Sequence, residues 1–191
     1  MTEAIIHIHE DSWGMRDLYP AAALAHASRE VRHAAEAGER NRDPSGAGWT
    51  DVYVIQPPTM SYLDVQLPLA RASRALAELL PRVRRFYATA SAGFDLGSRD
   101  PYGSYEEHAH CYGLHRRCFI KLEPEGELVK RIWFEANTDD AQELATLRAA
   151  ILAVEGLARS AIADYWLDVA GAVADAQFLD RYFRKLAADE D

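Results

Sequence analysis

Between Ser104 and Ala136 the chain reads as three consecutive strands, Ser104–Leu114, Arg117–Glu123 and Leu128–Ala136, joined by short polar connections. A parallel return needs a crossover of about a dozen residues or more, so connections this short admit only antiparallel neighbours. The block therefore commits the chain to a three-stranded antiparallel meander over 104–136, and the rest of the sequence has to cover it.

Helices are predicted on both sides of the meander. Asp139–Ala158 carries Leu144, Leu147, Ile151, Val154 and Ala158 at helical spacing, and Asp175–Ala187 carries Phe178, Leu179, Tyr182, Phe183 and Leu186. Upstream, Leu18–Ala37 is Ala-rich with one better stripe through Leu24, Ala27, Val31 and Ala34. Leu69–Leu80 follows Pro68, which suits a first helical turn, and stops at Pro81. Further strands are expected at Ala4–His9, at Trp49–Gln56 (ended by Pro57-Pro58) and at Val83–Ala90. Ser160–Val169 suits strand or helix, and the alternation of Tyr165, Leu167 and Val169 favours strand. The expected fold is one α+β domain over 1–191. It has a mainly antiparallel sheet of about six or seven strands, about four helices packed on it, and a short frayed acidic tail at 188–191.

Composition narrows the function classes. No apolar run reaches the ~18 residues of a membrane helix, and the first residues have no basic region or cleavage site, so a cytoplasmic protein is expected. Two cysteines, Cys111 and Cys118, in a chain of 191 residues read as reduced thiols. The net charge is −9, and residues 136–191 hold eleven acidic against five basic side chains. An acidic domain repels phosphate backbones, which argues against nucleic acid. Arginine far outnumbers lysine and alanine is abundant, a texture associated with bacterial genomes of high GC content.

Histidine placement is the sharpest local feature. His7 and His9 lie two apart in one expected strand, and His108 and His110 two apart in another. Strand period puts each pair on one face, roughly 7 Å apart along the strand. Two such strands side by side would offer four imidazoles to zinc or another divalent metal, although no cofactor is required by any motif. The competing reading is semi-buried or edge histidines. Glu106 and Glu107 are adjacent, so a strand sends them to opposite faces. Ser91 lacks the flanking pattern of a nucleophile elbow.

Binding candidates come from loops. Asp43-Pro44-Ser45-Gly46 and Asp100-Pro101-Tyr102-Gly103 both fit a type I turn, each preceded by an arginine, Arg42 and Arg99, that would grip an anion. Tyr102 sits in the second turn. Trp13 lies between a strand and a helix, beside Met15 and Arg16, as a lid over the helix start or as a binding anchor. Trp49, Trp133 and Trp166 read as core or near-core.

In bulk character the chain is similar to immunity proteins and small regulators, which neutralise a partner by binding it. That likeness is compositional and covers no specific residue. The leading expectation is a non-enzymatic binding protein whose partner has a basic surface, drawn by Asp164, Asp168, Asp175 and Asp180. The alternative is a metal-dependent hydrolase built on the four histidines, and the third is a small-ligand binder with a pocket between sheet and helices. A homodimer is compatible with an exposed sheet edge.

Overall fold

The computed structural model describes residues 4–45, 48–90 and 100–188. In chain order, strand β1 (Ile5–His9) leads through a 3-10 turn at Glu10–Ser12 to β2 (Arg16–Pro20). A second 3-10 turn, Ala21–Ala23, opens helix α1 (Leu24–Arg40). Helix α2 (Leu69–Ala77) precedes β3 (Arg82–Val83), β4 (Arg85–Thr89) and β5 (Ser104–Glu106). Next come β6 (His110–His115), β7 (Cys118–Glu125) and β8 (Leu128–Ala136). The chain continues with α3 (Ala141–Leu157), β9 (Ser160–Asp164), β10 (Val169–Ala172) and α4 (Ala176–Leu186). Both late helices start on an aspartate cap. Asp140 accepts the amides of Gln142 and Glu143, and Asp175 those of Gln177 and Phe178.

Seven strands form one sheet in the order β10-β9-β2-β8-β7-β6-β3, antiparallel at every pairing. Strands β1, β4 and β5 form a second sheet in which β1 and β4 are parallel. The fold is α+β and mainly antiparallel, as the sequence indicates. Strands β8 and β9 both run antiparallel to β2, so they are parallel to each other, with α3 as the crossover and β2 inserted between them.

One face of the large sheet packs against α2, α3 and α4 through Leu76, Leu147, Ile151, Leu179 and Tyr182 on the helices and Leu18, Ile120, Ile132 and Ile162 on the strands. The opposite face is divided. The small sheet covers one part with Ile6, Ile8 and Phe86 against Cys111, Phe119 and Trp133. Helix α1 covers another with Ala27 and Val31 against Tyr19, Ala163 and Tyr165. Among the described residues no helix is long and apolar enough to cross a membrane.

Several expected boundaries are corrected. Helix α1 begins at Leu24, not Leu18, because Arg16–Pro20 is a central strand buried at every position. Burial on both faces removes the alternation that marks a half-exposed strand. Trp49–Gln56 is not a strand, since among the described residues its only bridge pairs Trp49 with Arg42. The expected strand Val83–Ala90 is divided between the two sheets as β3 and β4, and the expected Ser104–Leu114 as β5 and β6. The expected strand at 160–169 ends at Asp164, and the chain turns before β10. The tail 189–191 lies outside the described residues.

Arg16 and Asp164 are register partners on β2 and β9 and form a buried ion pair, Nε to Oδ2 at 2.9 Å. Asp164 is fully buried and also accepts the Tyr182 hydroxyl of α4 and the amides of Trp166 and Leu167. Arg16 reaches Glu135 on β8 as well. Removing one member of a buried charged set leaves the others uncompensated. Asp164→Ala is therefore expected to cost about 3–5 kcal/mol in urea unfolding. A loss below about 1 kcal/mol would show that the set does not hold β2, β9 and α4 together.

Candidate functional site

The segment linking β1 to β2 carries Trp13 and Gly14. Trp13 stacks on the divided face of the large sheet, its ring 5.2 Å from Trp133 and 5.6 Å edge-on to Phe86. Behind it stands Lys121, only 1% exposed. Its ammonium lies 4.9 Å from the Trp13 ring, 5.1 Å from Phe86 and 5.9 Å from Trp133. It pairs with Glu106 of the small sheet at 2.9 Å and lies 4.0 Å from Glu123. Glu123 in turn accepts the Trp133 indole N–H at 2.7 Å. The aromatic faces and two carboxylates compensate for the burial of the ammonium.

Register carries this arrangement across the sheet. Lys121 is opposite Trp133, Trp133 opposite Asp17, and Glu123 opposite Arg131. Asp17 and Arg131 make a fork-on-fork pair, Nε to Oδ1 and Nη2 to Oδ2, both 2.8 Å. The Tyr19 hydroxyl donates to Asp17 Oδ2 at 3.1 Å and lies 3.4 Å from the Tyr165 hydroxyl. Burial lifts the Asp17 carboxyl above its ordinary value, although the hydrogen bonds and charge of Arg131 pull the other way. Burial likewise raises the phenols of Tyr19 and Tyr165, that of Tyr165 to about 12, so both remain protonated donors.

In front of this layer is a cleft of about 430 Å³. Trp13, Ile55, Pro57, Pro58 and Tyr62 give it apolar walls, and Asp17, Tyr19 and Arg131 a polar floor, with Lys130 and Ser61 also lining it. Gly14 is required here. Its φ is +68°, and a Cβ would stand 2.0 Å from Arg131 Nη2, so the guanidinium lies flat where any side chain would be. Among the described residues, Arg131 Nη1 and Trp13 Nε1 have no hydrogen-bond partner, whereas both Asp17 oxygens are engaged. Trp13 and Arg131 both line the cleft.

The histidines occupy other places. His7 and His9 lie on β1 in the small sheet, while β6, which carries His110, belongs to the large one. His7 Nε2 is 2.7 Å from Thr89 Oγ1, and burial followed by the charge of Arg116 lowers its pKa. His9 Nδ1 accepts the Asp11 amide. His108 is exposed and precedes β6, so strand period does not relate it to His110. His110 Nδ1 lies 3.2 Å from Ser73 Oγ. Among the described residues no three His, Cys, Asp or Glu side chains converge as metal ligands.

Of the other candidates, Trp13 lines the cleft. Arg16 is buried in its ion pairs and is not a surface anchor. Arg42 pairs with Glu39 at 2.7 Å on the surface. Tyr102 is exposed in the Asp100–Gly103 turn, which Asp100 closes by accepting the Tyr102 amide on its side chain and the Gly103 amide on its carbonyl. Arg99 and Ser91 lie outside the described residues. Glu106 and Glu107 do part company, toward Lys121 and toward Arg85 and Tyr87. Cys111 and Cys118 are free, buried thiols, both raised by burial, Cys118 to about 12. Asp164, expected to supply surface field, is fully buried, and Trp49 and Trp166, expected near the core, are 68% and 50% exposed.

The pairing of Asp17 with Arg131 is open to a double-mutant cycle. Asp17→Asn and Arg131→Gln should each destabilise, and the double variant should fall short of their sum by about 1–3 kcal/mol. Additivity within about 0.5 kcal/mol would mean that the two side chains do not act as a pair.

No family model matches the chain, and no curated protein or solved structure matches it either, so the functional reading rests on this geometry.

Proposed function

We propose that the chain is a small-molecule-binding protein whose ligand occupies the cleft before Trp13. The observation that supports this is the pairing of flat apolar walls with two lining residues, Arg131 and Trp13, whose Nη1 and Nε1 have no hydrogen-bond partner among the described residues, beside an internally neutralised ion pair. Ligand sites commonly have about 300–1,000 Å³ of space, mostly apolar lining and a few placed polar groups. The flat walls favour a planar ring, and the donors favour a carbonyl or carboxylate on it. Because the Asp17 oxygens are engaged, they are poorly placed to take a proton from a substrate, and binding fits the site better than catalysis. A protein partner is the second reading, supported by the exposed Trp49, Val52, Val54 and Trp166 more than by net charge.

The test is a titration of the full chain with a panel of planar aromatic carboxylates and ketones, followed through the indole N–H resonances of its four tryptophans. A binder should move the Trp13 resonance, identified with Trp13→Phe, and at about 100 times its Kd raise Tm by roughly 5–10 °C. Ser61→Phe at the cleft rim should abolish both effects. Equal shifts in Ser61→Phe, or a Trp13 resonance that no compound moves, would sink the proposal.

A further inference from the structure

The chain bends at Thr50 and Asp51, and from Val52 to Gln56 it runs along α1 without bend or turn, yet it belongs to neither sheet. Glu30 of α1 holds it, accepting the Tyr53 hydroxyl at 2.9 Å and the Gln56 amide at 3.0 Å, and His26 Nε2 meets the Gln56 carbonyl at 2.8 Å. Its side chains alternate as in a strand. Tyr53 and Ile55 turn inward and are partly buried, while Val52 and Val54 are 81% and 69% exposed. A strand with one solvated face normally puts polar residues on that face, and here it puts valine. Among the described residues, the amides of Tyr53, Val54 and Ile55 and the carbonyls of Asp51, Val52 and Tyr53 have no hydrogen-bond partner. The composition Val-Tyr-Val-Ile favours a sheet, and the edge that would complete one is open.

The exposed area is that of an interface. Trp49 and Trp166 line the same groove as Val52 and Tyr53. With Val52 and Val54 these indoles leave roughly 500 Å² of apolar side chain in water, taking the usual size of such groups. A standard interface covers about 800 Å² per partner, of which a little over half is apolar.

The sequence of the segment is close to a palindrome in character, and that points to its occupant. We propose that a second copy of this chain pairs with it, Thr50–Gln56 against Thr50–Gln56, antiparallel about a two-fold axis at Tyr53. In that register Val52 faces Val54 of the other copy, Thr50 faces Gln56, and Asp51 faces Ile55. β-branched residues meet, and no like charges are opposed. Pro57 ends the pairing where its missing amide could not contribute. Such a contact is isologous and closes at two copies. It does not depend on a ligand in the cleft.

Sedimentation of the full chain up to about 200 µM tests this by mass action. The wild type should approach twice the chain mass. Association should tighten from low to high salt, because each copy carries −9. Val52→Lys/Val54→Lys opposes like charges twice and should weaken the dimer at least about tenfold. Val52→Lys/Val54→Glu alters the same two exposed positions but opposes lysine to glutamate, and should restore it. A wild type that stays monomeric, a dimer indifferent to the Lys/Lys change, or one lost in both double variants would each overturn the proposal. Circular dichroism of both variants confirms that the fold is retained.

Discussion

Two consecutive residues of opposite charge, Arg16 and Asp17, fix the position of the strand around which the large sheet is built. They point to opposite faces of β2. Arg16 meets Asp164 and Glu135 near α4, and Asp17 meets Arg131 beneath the cleft. A slip of one residue would exchange the faces. A slip in one direction would put Arg16 in the place of Asp17 beside Arg131, and a slip in the other would put Asp17 in the place of Arg16 opposite Asp164, each opposing like charges in a region closed to water. Ion pairs of this kind add little net stability compared with apolar packing, but the wrong register costs a great deal. β2 is contributed early in the chain and inserted between β8 and β9, both formed far later, so its register has no hairpin turn to set it. The charges supply what a turn would have supplied.

From Asp17 the same logic runs outward along one face. Arg131 answers Asp17, Glu123 is the register partner of Arg131, and Lys121 lies between Glu123 and Glu106. The alternation of sign crosses β2, β8 and β7 and ends on the small sheet, which is thereby tied to the large one by charge as well as by Phe86 and Ile6. Trp13 covers the lysine on one side and lines the cleft on the other. The element that seals the interior is thus also the wall of the candidate binding site.

How much of this was legible in sequence follows from where each signal came from. The helices at 141–157 and 176–186 were legible because one apolar stripe marked each, and the structure adds an aspartate cap at both starts. The meander over β6, β7 and β8 was legible because its connections were short. β2 was hidden because a strand buried on both faces has no alternation, and Arg-Asp-Leu-Tyr-Pro resembles neither a core strand nor a helix. Of the site, Trp13 stood out by its place between elements. Asp17, Lys121 and Arg131 did not, since a charge inside an apolar run is ordinarily a solvated face. The signal available was register: three lone charges, each at the inward position of a strand, become a ladder only when the strand order is known. The histidine spacing misled for the same reason, because period says which face a residue takes within one strand and nothing about which strands are neighbours.

The segment that reads as a strand and is not paired as one stands between the two proposed surfaces. Ile55, Pro57 and Pro58 line the cleft, while Val52 and Val54 just before them are exposed. Glu30, only 7% exposed, fastens it to α1 through Tyr53 and Gln56. An edge with so few backbone bonds has low local stability, and ordering it costs conformational entropy whichever surface is occupied first. A ligand against Ile55 and the prolines would meet part of that cost for a second copy at Val52 and Val54, and the second copy would do the same for the ligand. Coupling of that kind is reciprocal by thermodynamic necessity. If both proposals hold, the mismatch between a strand-forming sequence and an unpaired backbone follows from placing one segment where two binding events share it.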